Sequence, residues 1–160
     1  MKIILNRRNP NQNNKRVKQY GLNKYDKLCS PTAIDMLFSR GADSTQPFQP
    51  KSAMAYPLRA VWRENENRSS GSAVQFLISI PKKRLRHAVD RVKMRRRVRE
   101  AYRLNKATYA VVDGDKKIDL AFIYVANDIK DYQSIEKAVV KILHKINDDK
   151  RTEQSNSMAD

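Results

Sequence analysis

Between Lys82 and Arg103 the chain places eleven Lys or Arg residues against two acids, Asp90 and Glu100. That stretch supplies nine of the sixteen excess positive charges. Residues 1–27 hold eight basic residues against Asp26 and supply the other seven; the remainder balances fourteen basic with fourteen acidic residues. Charge gathered into two segments asks for a polyanionic partner. A nearly single-sign run also weakens an isolated helix, because like charges four residues apart repel. Something outside the run has to compensate.

On a helical wheel Arg95, Arg96, Arg99 and Arg103 share one stripe with Ala88 and Val92. Met94, Val98 and Ala101 recur at i, i+4, i+7 on the opposite side. One side can pack on a core while the other presents guanidinium groups about one turn apart. Phosphates along a nucleic-acid backbone suit that spacing, and the planar guanidinium binds them bidentately.

Catalytic chemistry is harder to find. A protein nuclease needs a general acid and base at the scissile phosphate, or carboxylates that hold metal ions. The chain has two histidines, His87 in the basic stretch and His144 on the expected outer side of a late helix. Its acids are spread singly, and turn chemistry around Gly114 accounts for Asp113 and Asp115. Four glycines form no phosphate-cradling loop. The residues describe a binder, with no catalytic residue in this chain.

The order Ala88-Val89, Arg91, Arg95-Arg96, Arg99-Glu100, preceded by Lys82-Lys83, resembles the signature of the bacterial ribonuclease P protein subunit. That helix reads roughly Ala-Val-x-Arg-Asn-x-x-Lys-Arg-x-x-Arg-Glu in the family. Here Val92 stands at the Asn position, Arg95 replaces Lys, and Pro81 replaces a Ser before the paired lysines. The link from Lys83 to Ala88 is one residue longer and lacks a Gly. Phe38-x-x-Gly41 resembles the end of the family's first helix, with Ile34 at the place of a second Phe. The resemblance extends over about residues 27–147.

Composition sets the frame. At 160 residues and 40% apolar content, one compact domain with polar ends is expected. The divisions are a basic arm at 1–22, an RNA-binding domain at 23–147 and a polar tail at 148–160. Cys29 stands alone, which fits a reducing, cytoplasmic setting and allows no cysteine metal cluster. Ile3-Ile4-Leu5 is too short for a signal peptide, and no run approaches membrane-spanning length.

Ser30 as N-cap, Pro31 at the first helical position and Gly41 as a stop mark a short helix whose apolar face is Ile34, Leu37 and Phe38. Ala53 to Arg63 reads as a strand holding Leu58, Ala60 and Trp62, with an edge or bend at Pro57. Ala73 to Ile80 reads as a central strand ended by Pro81. Ala107 to Val112 fits either helix or strand, and Ile118 to Ala126 a buried strand. Ile135, Ala138, Val139, Ile142, Leu143 and Ile146 predict a closing helix over 131–146, followed by a frayed tail. The fold class is α+β: a single-domain α-β sandwich, about four strands with three helices. The resemblance implies the topology of the second domain of ribosomal protein S5, with a left-handed β-α-β crossover.

The resemblance also implies a function. The protein would be a subunit of ribonuclease P, an endoribonuclease whose catalytic RNA removes the 5′ leader of precursor tRNA. Mg²⁺ would be bound mainly by that RNA. Partners would be the catalytic RNA and precursor tRNA, with no membrane and no obligate protein partner. Lys82, Lys83, Arg84, Arg91, Arg95, Arg96, Arg99 and Arg103 are the candidate RNA contacts. Ile34 and Phe38 would wall a leader-binding cleft, with Trp62 as a weaker candidate for its floor. The competing reading is a structural RNA-binding protein of ribosomal type.

Overall fold

The computed structural model describes residues 21–39, 49–65, 68, 72–107 and 117–157. Four strands form one sheet in the order β1-β2-β4-β3: β1 (Lys51–Ala55), β2 (Leu58–Glu64), β3 (Val74–Ser79) and β4 (Ile118–Tyr124). β2 pairs antiparallel with both β1 and β4, whereas β3 runs parallel to β4. Helix α2 (Ala88–Asn105) links those two parallel strands, and α3 (Tyr132–Ser157) ends the chain. Both pack on one face of the sheet; the short α1 (Pro31–Phe38) covers part of the other.

The period-two alternation of β2 divides the core. Leu58, Ala60 and Trp62 point toward α2 and α3, and Val61 points toward α1. β4 is buried on both sides: Ile118, Leu120, Phe122 and Tyr124 join the larger core, and Ala121 meets Leu28, Ala33 and Leu37 of the smaller. The helix stripes match their periodicity. Met94, Val98 and Ala101 are wholly buried, as are Ile135 and Val139 on α3, with Ala138, Ile142, Leu143 and Ile146 nearly so. Tyr102 adds an aromatic cluster, its ring centroid 4.3 Å from that of Phe76 and 5.9 Å from that of Phe122. Burial pushes the Tyr102 phenol far above its usual range, with Asp26 adding to the rise. At its start α1 is held as the sequence predicts: Ser30 Oγ accepts from the Ala33 amide at 3.4 Å, and Pro31 opens the first turn.

Three expectations change. Pro57 does not bend a strand; Tyr56 and Pro57 form the turn of a hairpin joining β1 to β2, through a cis peptide bond. β3 is an edge strand, not a central one, and β4 takes the central place. Its apolar composition survives at the edge because residues 21–28 lie along it. The Leu28 amide donates to the Phe76 carbonyl at 3.0 Å, and Gln75 Nε2 donates to the Tyr25 carbonyl at 3.0 Å. Finally, α3 continues through the expected tail to Ser157. No Gly or Pro interrupts 131–157, so polarity alone gives the helix no reason to stop. Gly41, most of 107–112, and Asp113 to Asp115 lie outside the described residues, as does nearly all of the basic arm.

Candidate nucleic-acid interface

The packing of α2 dictates where its cations go. With Met94, Val98 and Ala101 locked into the core, Arg96 and Arg99 are exposed and Arg95 is half-buried. Among the described residues none of these three is ion-paired. Arg103 differs: its Nε donates to Glu100 Oε2 at 2.9 Å and its Nη2 to Oε1 at 2.6 Å. That bidentate pair holds the Glu100 carboxyl below its usual range and raises Arg103. The stripe is therefore graded, with three open guanidinium groups and one already matched.

The earlier basic residues divide in the same way. Lys82 and Lys83 are exposed in the turn after Pro81. Arg84 Nη1 donates to Asn127 Oδ1 at 2.9 Å, tying this loop to the one after β4. Arg91 Nη1 donates to the carbonyls of Leu85 and Arg86 at 2.9 and 2.7 Å. Arg91 thus fastens the loop that enters α2, a job the charge pattern does not reveal. Arg97, not among the candidates, donates to the Lys130 carbonyl and anchors α2 to the start of α3.

Beside Arg95 and Arg99 lies an open groove of about 440 Å³. One wall is α2 with these two arginines; the other is the segment from Leu22 to Cys29, which brings Lys24 and Lys27; Leu77 of β3 is part of the floor. Lys24 and Lys27 belong to the basic N-terminal block, and only the fold shows that they stand opposite the arginines of α2. The wall is fixed by Asp26, which is buried. Its carboxylate accepts from the Asn23 amide at 2.8 Å and from Ser72 Oγ at 2.5 Å, and Lys106 Nζ lies 3.6 Å away. A second buried acid, Asp119, accepts from Asn65 Nδ2 at 2.7 Å and from Arg68 Nη1 at 3.0 Å. Burial draws the Arg68 guanidinium down, with Asp119 opposing that shift. A lone Asp inside the apolar run 118–126 was the signal for this pair.

The three proposed cleft residues do not share a surface. Ile34 is half-buried and packs on the smaller core together with Leu77, and Phe38 is 42% exposed at the end of α1. Leu28 and Leu77 both line the groove and touch that smaller core, which is the link between the groove and α1; none of the α1 residues lines it. Trp62 has no such link. It is 4% exposed in the larger core on the far side of the sheet, because alternation from Leu58 sends it toward α2 and α3. Trp62 is a core residue and cannot be the floor of a cleft beside α1.

His87 and His144 are both exposed and lie far apart in sequence, on α2's N-cap and on α3. Among the described residues no group of three or more His, Cys, Asp or Glu could hold a metal ion. No described helix is long and apolar enough to cross a membrane. The arrangement offers phosphate-binding cations around a groove with an apolar floor, which suits a single strand of nucleic acid.

The family model for ribonuclease P matches residues 22–147. Two relatives from different strains of Porphyromonas gingivalis, each named ribonuclease P protein component, are 36% identical over 130 residues. Those alignments span 79% of this chain and 87% of each relative. No solved structure matches.

Proposed function

This chain belongs to the ribonuclease P family, and from that premise we propose that it is the protein subunit of a ribonucleoprotein that trims the 5′ leader from precursor tRNA. In this reading the RNA subunit with its Mg²⁺ cleaves the phosphodiester, and this chain acts in the cytoplasm as its cofactor. The two buried described acids, Asp26 and Asp119, are engaged by Ser72, Lys106, Arg68 and Asn65. The protein's own work is to bind and position.

The observation that carries the proposal is the pairing of Arg95 and Arg99 with the groove. Both project from the side of α2 away from the core and both line the groove. The outer stripe of Arg95, Arg96 and Arg99, with the exposed lysines Lys82 and Lys83, would meet the catalytic RNA, Arg95 and Arg99 standing where it adjoins the groove. The leader would run along the groove between α2 and the segment Leu22 to Cys29 and over the β3 edge toward α1, its phosphates near Lys24, Lys27 and the two arginines. Phe38 and Ile34 would pack on its bases from the α1 side. Neutralising phosphates in this way also lowers the repulsion between two RNAs that must approach each other.

Reconstitution tests the reading. Purified protein, the cognate RNA and precursor tRNA are mixed at low Mg²⁺, each component also being omitted in turn. Cleavage at the mature 5′ end is expected with both subunits together and with RNA-free protein not at all. Cleavage by protein alone would refute the cofactor role. RNA cleavage indifferent to the protein would favour a structural RNA-binding protein outside this enzyme.

A further inference from the structure

One cluster of exposed groups stands apart from the groove and shares only Lys82 and Lys83 with the surface already assigned to the catalytic RNA. Three loops meet at one end of the sheet: the hairpin turn at Tyr56-Pro57, residues 80–87, and residues 125–131. The Val125 amide donates to the Pro57 carbonyl at 3.0 Å, and Arg84 joins the other two loops through Asn127. Tyr56 is 63% exposed at this end, and Ile129 is also exposed. Lys130 Nζ lies 5.4 Å from the centre of the Tyr56 ring and 2.7 Å from Asp128 Oδ2. Lys82, Lys83 and Arg86 are exposed on the neighbouring loop.

A tyrosine in a hairpin turn needs no function. This one, however, carries a cation over its ring and stands among further cations, with most of its surface open. Aromatic rings set among Lys and Arg hold unpaired bases by stacking while the cations take the flanking phosphates. We propose that Tyr56 is a stacking platform for an unpaired nucleotide of the catalytic RNA, with Lys130, Lys82 and Lys83 holding the adjoining backbone. The proposal rests on the ribonuclease P reading above. It assigns the contact to the catalytic RNA because of position. The groove borders β3 at one edge of the sheet, whereas Tyr56 joins β1 to β2 at the other, with β4 between. At about 4.8 Å per strand spacing, the two surfaces are separate points of contact.

Binding of the cognate catalytic RNA alone, by filter retention across a salt series, tests it with Tyr56→Leu, Tyr56→Phe, Lys130→Gln and Arg99→Ala. Tyr56→Leu keeps apolar bulk and removes the ring; it should weaken binding about fivefold to a hundredfold with an unchanged salt slope. Tyr56→Phe should bind as the wild type does, and Lys130→Gln should flatten the slope by less than Arg99→Ala, because Lys130 is already paired with Asp128. Wild-type affinity for Tyr56→Leu beside a clear loss for Arg99→Ala would overturn the platform and leave the function standing. A Tyr56→Leu loss seen only as weaker holoenzyme binding of leader-bearing precursor would also overturn it, by placing the ring on the leader. Failure of even the wild-type protein to bind the RNA would sink the platform together with the ribonuclease P reading.

Discussion

Glu100→Gln is expected to strengthen RNA binding, and the size of the gain follows from the geometry of α2. Arg103 has a bidentate partner in Glu100, while Arg95, Arg96 and Arg99 have none among the described residues. A phosphate that meets Arg103 must first displace a carboxylate; one that meets Arg99 displaces only water and counterions. Each phosphate neutralised adds about 0.7–0.9 to the slope of log affinity against log salt. Arg99→Ala should therefore lose about that much slope, and Arg103→Ala clearly less. Glu100→Gln should gain up to the same amount by freeing Arg103. Between 50 and 200 mM salt one such contact changes affinity by about 2.6-fold to 3.5-fold, so a titration series resolves it. The fold should tolerate all three changes, because Met94, Val98 and Ala101 supply the packing of α2. The assay is equilibrium binding of the catalytic RNA at five or more salt concentrations, with melting curves alongside. An Arg103→Ala slope loss equal to that of Arg99→Ala, with no effect of Glu100→Gln, would refute the graded stripe.

Other changes separate core from site. Trp62→Ala should cost about 3–5 kcal/mol of stability and reduce every activity together, read by denaturant unfolding and RNA binding. Phe38→Ala should leave melting nearly unchanged, yet weaken holoenzyme binding of leader-bearing precursor relative to mature tRNA, by about 1–3 kcal/mol. Equal losses for both substrates would remove Phe38 from the cleft. Arg68→Ala should cost about 3–5 kcal/mol, since it strands the fully buried Asp119 without its charge partner; unfolding within about 1 kcal/mol of the wild type would show that water or Asn65 suffices.

Periodicity showed which parts of the fold the sequence makes legible. The apolar stripes of α2 and α3 read directly, because a helix that buries one face must repeat its apolar residues every three or four positions. Strand existence was also legible, but strand order was not. β3 is as apolar as a central strand because α2 and the segment 21–28 cover it, and no local pattern distinguishes a covered edge from a centre. Trp62 failed for a related reason: alternation shows that Val61 and Trp62 face opposite ways, but not which way α1 lies. The arginines of the stripe could be named from spacing alone. Their division into open groups, Arg91 as a loop clasp and Arg103 as a matched charge could not, because the carbonyls and carboxylates that engage them are placed by the fold.

The buried acids bear on how binding and stability stay separable in so basic a protein. A chain with a net charge of +16 repels itself wherever its cations gather. The groove needs Lys24 and Lys27 to stand opposite Arg95 and Arg99, an arrangement unfavourable until a polyanion enters. Asp26 offsets it from within, fastening the segment that carries both lysines to Ser72 and Lys106 behind the wall. Asp119 and Arg68 likewise tie Asn65, Ser72 and Ala73 together, with Arg68 donating to the carbonyls of Ser72 and Ala73. The anchoring carboxylates are buried, whereas the cations left for RNA are at the surface, so among the described residues no acid is paired with Arg95 or Arg99. Among the described residues two exposed acids break that rule: Glu100, beside the arginine of the stripe that it neutralises, and Asp128, paired with Lys130.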